Sequence, residues 1–311
     1  MNKQYSVISG VLQRGFTLIE LMISMLLGML IVGAALMIFL SNQQVQRATQ
    51  GVGSIQESLQ IGFEILARDI RAAGVNPCDI GLPTANVVNG AAGNWWTNWN
   101  QSFMGYAAGA LAGSAADSDA LQMLLSDGTH YNVQAHAGTD ITVDRNAPYA
   151  AGDVLMVCDM RQLALFRTNS SAGTSFGHPA AAGNCSNSLG TVPAACNAAA
   201  PAYFYGLNAQ LTRLQGVRWY VAENGRGTRS LYRAVNNQAG EEMVEGISRL
   251  QARYLQDGGA DYTVAAAVTD WSQVRAVELV ITAVDNNRAG SGGQSFERNM
   301  SNIINLRGRT L

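Results

Sequence analysis

The sequence predicts an α+β protein: a long N-terminal helix, transmembrane then amphipathic, packed on a C-terminal antiparallel β domain. Three observations carry that expectation. Residues 16–40 form an apolar run whose only charge is Glu20. From Val45 to Ile70, apolar residues recur at spacings of three and four, the signature of an amphipathic helix. From residue 75 onward, short β-like runs alternate with glycine- and asparagine-rich loops.

At about 1.5 Å per residue, the run at 16–40 is long enough to cross a hydrocarbon core ~30 Å thick. A cleaved secretory signal has an apolar core of roughly 7–15 residues, so this longer run is expected to remain as an anchor. Beyond it, Val45, Ala48, Val52, Ile55, Leu59, Phe63, Leu66 and Ile70 form one stripe, which Ile61 and Ile65 widen where a globular domain would dock. One helix is expected from Phe16 to Ala73, closed by Gly74 as C-cap with Pro77 just beyond. Gly51 and Gly53 are its expected weak point, each costing about 1 kcal/mol relative to alanine. Strands are expected at 120–125, 140–143, 153–159, 163–168, 216–222, 230–234, 247–255, 274–283 and 299–306. Val217, Trp219 and Val221 alternate with Arg218 and Tyr220, as half-buried strands do. A helix followed by a run of strands is the α+β order.

Charge and cysteine usage narrow the setting. Net charge is −2, with 20 basic residues against 22 acidic ones, and Lys3 is the only lysine. No basic block exists to bind nucleic acid or an anionic membrane surface. The first 15 residues carry Lys3 and Arg14 and no acid. Positive-inside reasoning therefore places the N-terminus in the cytoplasm and the domain outside. Cys78, Cys158, Cys185 and Cys196 all fall in that exported part, where an even count favours two disulfides among three connectivities. Cys78–Cys158 with Cys185–Cys196 is the favoured pairing, since the latter brackets a short Ala/Gly/Pro-rich loop. Zinc needs closer ligand spacings, and no metal is expected.

The most specific segment is Arg14-Gly15-Phe16-Thr17-Leu18-Ile19-Glu20-Leu21-Met22. A short basic leader ends in glycine, an aromatic follows, and a lone glutamate sits five residues into the apolar span. This resembles the processing motif of the type IV prepilin family. The resemblance implies a pilin-like fold, cleavage between Gly15 and Phe16 by a prepilin peptidase, and N-methylation of Phe16. It divides the chain into a cleaved leader (1–15), a helix (16–74) with transmembrane half 16–40, and a β-rich periplasmic or extracellular domain (75–311). It also accounts for Glu20, an acid in lipid that costs about 2.5–3.5 kcal/mol at a helix centre. Cleavage frees an α-amine at Phe16, and Glu20 of one subunit pairs with the Phe16 amine of a neighbour, setting register in a filament. Where the family's main pilins often carry a kinking proline, this chain has Met37.

Further phrases extend the likeness. These are Asp69-Ile70-Arg71-Ala72-Ala73-Gly74, Gly152-Asp153-Val154-Leu155-Met156-Val157-Cys158, Ser230-Leu231-Tyr232-Arg233, and the run from Glu242 to Tyr254. Together they look like PilW-type minor pilins, which are similar to the type II secretion pseudopilin J. The likeness implies an inner-membrane subunit that primes pilus assembly and sits at the tip, serving twitching motility and adhesion. Implied partners are other minor pilins, the major pilin, the prepilin peptidase, the assembly platform and a PilY-type tip adhesin. The alternatives are a J-type secretion pseudopilin and, from another class, a membrane-anchored periplasmic binding protein.

No enzyme or cofactor is expected. His130, His136 and His178 are scattered through loop-like or edge sequence without H-E-x-x-H spacing. No G-x-S-x-G elbow or Walker A loop appears. Asp117/Asp119 and Asp257/Asp261 lack a calcium-loop pattern and read as solvated turns. Trp95, Trp96 and Trp99 are three tryptophans within five positions. Two readings stand open for them: a partner-docking or glycan-stacking surface, or a cover folded back on the sheet. The Ala/Gly/Ser/Asn-rich stretch 169–203 reads as a partner-binding loop or a solubilising insertion.

Overall fold

A computed structural model describes residues 15, 17–90, 94–181, 183–191, 196, 201–285 and 295–309. The chain divides into two compact units, the first ending at Gln50 and the second running from Gly51.

One helix, α1 (Leu18–Ala72), passes unbroken through Met37, Gly51 and Gly53. In the first unit its side chains from Leu18 to Leu40 are exposed, Gly33 alone being half-buried. This stretch is long and apolar enough to cross a membrane. In the second unit the face changes character. Ile55, Leu59, Leu66, Ala67 and Ile70 are buried, and Gly62 lies beside Leu231 and Ile247. Full burial of a side chain such as Leu66 or Ile70 stabilises by about 1.5–3 kcal/mol, so packing rather than propensity holds this half. Gly74 has φ +71°, a conformation that costs a residue with a Cβ. Its amide donates to Leu124 O at 3.0 Å, tying the helix end to the sheet.

The strands are β1 (Thr84–Asn86), β2 (Phe103–Tyr106), β3 (Ala120–Ser126), β4 (Tyr131–Ala137), β5 (Asp140–Ala147), β6 (Val154–Cys158) and β7 (Leu163–Arg167). They continue as β8 (Gly173–Gly177), β9 (Gln210–Glu223), β10 (Arg229–Val235), β11 (Glu241–Glu245), β12 (Ile247–Gln256), β13 (Val274–Val284) and β14 (Glu297–Asn305). Among the described residues, the first eleven make one branched sheet and the last three another, β12-β13-β14. The spine is β9. Its first half pairs with β6 and β4, and its second half with β3 and β10.

Every expected strand is present, with ends shifted by up to six residues, as where β9 begins at Gln210. The β domain is mostly antiparallel, as expected, with β1 running parallel to β7. Three residues suffice there, since Val87 N–H also donates to Leu165 O at 3.0 Å.

Among the described residues, three apolar clusters fill the second unit. The first joins the helix face to Phe103, Met123, Trp219, Leu231, Tyr254 and Leu279. The second lies among β4 to β8 around Tyr149, Phe166, Phe176 and Tyr205. The third, around Leu124, Met156, Leu165 and Leu214, is covered by partly buried Trp95, Trp96 and Trp99.

Candidate functional site

The segment with specific chemistry is the start of α1. Thr17 is its N-cap. Glu20 N–H donates to Thr17 Oγ1 at 3.3 Å, while Thr17 N–H and Thr17 Oγ1–H donate to Glu20 Oε2 at 3.3 and 3.2 Å. This reciprocal pattern is a capping box. Thr17 and Glu20 both lie exposed, at the start of the apolar helical stretch. The Thr-x-x-Glu spacing was readable from sequence, yet sequence reasoning assigned Glu20 only an intersubunit role. The box gives the carboxylate local donors within its own chain, easing the cost of an acid beside lipid. Gly15 is exposed. Phe16, Lys3 and Arg14 lie outside the described residues.

The cysteines are joined as Cys78–Cys158 and Cys185–Cys196. The first bond holds the turn after α1 to the end of β6. Asn76 Oδ1 accepts from the Cys78 and Asp79 amides at 2.8 and 3.0 Å, which fixes that turn.

Trp95, Trp96 and Trp99 are half-buried on the third cluster. Gly216 of β9 lies directly under the first two, where a Cβ would collide with the Trp95 ring and with Trp96 Cβ. The Arg218 guanidinium sits 4.2 Å from the Trp95 ring centroid, a cation–π arrangement. The geometry is that of a cover on the sheet.

Two buried polar centres were missed from sequence. Asp69, near the end of α1, is 5% exposed. It accepts from Trp219 Nε1–H at 3.0 Å and from Arg233 Nε–H at 2.8 Å. Sequence reasoning quoted Asp69 and Arg233 within phrases but had no signal for their pairing across 164 residues. The second centre is a histidine pair. His136 lies within β4, not in a loop, and its Nε2 is 2.9 Å from Nε2 of His178. His130 is exposed and apart from both.

The acidic pairs do not converge as ligands. Asp117 and Asp257 are tied to Arg229 and Arg275 at 2.7 and 2.9 Å. Asp119 is no solvated turn: its carboxylate accepts from Ala252 N–H at 2.9 Å, and burial pushes its pKa upward. With Ser118 Oγ accepting from Leu250 N–H at 3.0 Å, it stitches the chain before β3 to the edge of β12. Among the described residues, no three His, Cys, Asp or Glu side chains cluster as metal ligands.

Residues 12–36 match the family described as the prokaryotic N-terminal methylation motif. No curated protein and no solved structure matches the chain. The motif, the apolar helix and the mostly antiparallel β domain together make this a pilin-like chain.

Proposed function

We propose that this chain is a minor type IV pilin, cleaved after Gly15, N-methylated on Phe16 and anchored in the inner membrane with its domain outside. It joins other minor pilins in a complex that primes polymerisation of the major pilin, and it occupies the filament tip. The observation that carries this reading is the methylation motif, set in register with Glu20 on a long exposed apolar helix. Prepilin peptidase and the inner-membrane assembly platform are the partners such a life cycle requires, and a PilY-type adhesin fits a tip subunit.

Assembly on this reading moves the Glu20 carboxylate from its own Thr17 to the freed amine of a neighbouring Phe16, exchanging neutral donors for a cationic one. Glu20→Val should leave cleavage and insertion intact, because valine suits lipid better than a carboxylate. Assembly should fail: the variant accumulates in membranes and is lost from sheared filaments. Wild-type amounts in filaments would refute the pairing.

The bulk of the domain suits an end position, since subunits repeated along a filament must tile closely. A J-type secretion pseudopilin satisfies the same geometry, so deletion decides. Loss of the chain should abolish or sharply reduce surface pili and twitching, with the major pilin still present in membranes and exoprotein secretion unchanged. Normal pili with secreted enzymes trapped in the periplasm would assign it to the secretion system.

A further inference from the structure

His136 and His178 meet with their ring planes 73° apart and with Nε2 facing Nε2 at 2.9 Å. The hydrogen bonds around them assign each proton. His136 Nδ1 accepts the Tyr205 backbone N–H at 3.1 Å. A neutral imidazole carries one hydrogen, so that of His136 lies on Nε2 and is donated to His178 Nε2. The His178 hydrogen must then lie on Nδ1, which is buried without a hydrogen-bond partner. This wiring opposes a metal: coordination through His136 Nε2, with Nδ1 still accepting, would require an imidazolate.

We propose that this pair is an acid-released latch that holds the chain at 201–206 against the second apolar cluster. The neutral pair has no acceptor free for another proton. His136 Nδ1 faces the Tyr205 N–H, the two Nε2 atoms already share a hydrogen, and His178 Nδ1 is occupied. Protonating either ring therefore breaks one of the two hydrogen bonds. If His136 Nδ1 takes the proton, Tyr205 N–H loses its acceptor. If His178 Nε2 takes it, two N–H groups confront each other.

The held segment is otherwise anchored by side chains. Tyr205 is buried, and its hydroxyl accepts from Gln162 Nε2 at 3.0 Å. Tyr203 donates its hydroxyl to Asp159 at 2.6 Å. Phe204 packs beside His136 with ring centroids 5.0 Å apart.

The groups facing the pair are Asp140 from β5, Phe166 from β7, and Phe204 and Tyr205 from the held segment, with Tyr203 beside Tyr205. Asp140 favours a charged His136, but burial outweighs it and lowers the His136 pKa. Burial first, and the neighbouring His136 second, lower His178 to about 4. Burial and Asp159 push Tyr203 up to about 12, and burial raises Tyr205 further, so neither phenol supplies charge. Histidines neutral when closed and ordinary when open make the closed state fully stable above about pH 6.5. That stability is lost as pH falls towards about 4.

Hydrogen exchange by mass spectrometry on the full chain in detergent micelles, at pH 7 and pH 5 with intrinsic rates corrected, tests the latch. Protection across 201–209 should fall about twentyfold at pH 5, from the His178 shift alone, while amides of β9 stay protected. His178→Gln, whose amide hydrogen-bonds without titrating, should weaken the pH dependence to that of His136 alone. Four results would overturn the proposal: unchanged protection in the wild-type chain, loss in parallel with β9, the same pH dependence in His178→Gln, or added protection from Zn²⁺ at pH 7. The wild-type profile is decisive even if the variant does not fold.

Discussion

Asp69→Ala is expected to destabilise the β-rich unit by about 3–5 kcal/mol, the usual cost of removing one partner from a buried ion pair. Asp69 is 5% exposed and serves two donors at once, the Trp219 indole and the Arg233 guanidinium. Removing it leaves the indole N–H without an acceptor and the cation with no counter-charge beneath the helix. Asp69→Asn keeps an oxygen for one donor and loses only the charge, so its loss should be smaller. Urea unfolding of the full chain in micelles, followed by tryptophan fluorescence, measures both. An Asp69→Ala chain within about 1 kcal/mol of wild type would show that Arg233 reaches water instead and that the pair contributes little.

Replacing Cys78 and Cys158 together by alanine is expected to cost about 4–5 kcal/mol, because their bond closes a loop spanning 80 residues. The corresponding change at Cys185 and Cys196, separated by 11 residues, should cost about 3 kcal/mol. The order matters more than either magnitude. The long-range bond joins the end of α1 to β6, so its loss should also loosen the turn at Asn76. The short one restrains only its own loop. Equal losses for the two double variants would mean that restriction of the unfolded chain is not the governing effect.

The helix was legible because two periodic signals adjoin: an apolar run, then a stripe at spacings of three and four. The longer strands were legible by alternation, as in Val217-Arg218-Trp219-Tyr220-Val221, whose odd members are buried. Of the strands that escaped notice, β1 and β2 are short and β8 and β11 are poor in large apolar residues, whereas β4 does alternate, with Tyr131 and Val133 buried. β8 is Gly-Thr-Ser-Phe-Gly and β11 is Glu-Glu-Met-Val-Glu, with Val244 its one buried residue. Neighbouring strands decide such segments, because local preference for a strand is weak and depends on context. In the same way, the histidine pair and the Asp69 centre bring together residues far apart in sequence, and no spacing rule can signal them. Thr17 and Glu20 differ: their spacing is a recognised cap, overlooked because the carboxylate already had another explanation.

One strand, β9, contributes Val217, Trp219 and Val221 to the first cluster, Leu211 to the second and Leu214 to the third. A chain made from its N-terminus therefore reaches residue 210 with hairpins such as β4–β5 and β6–β7 but with no cluster complete. Contacts that far apart in sequence are slow to form, and until they do, runs such as Leu121 to Leu125 stay open to aggregation. Nascent chains ending before Gln210 are not smaller versions of the domain but unprotected ones. Synthesis must hand two-thirds of the polypeptide forward in that state.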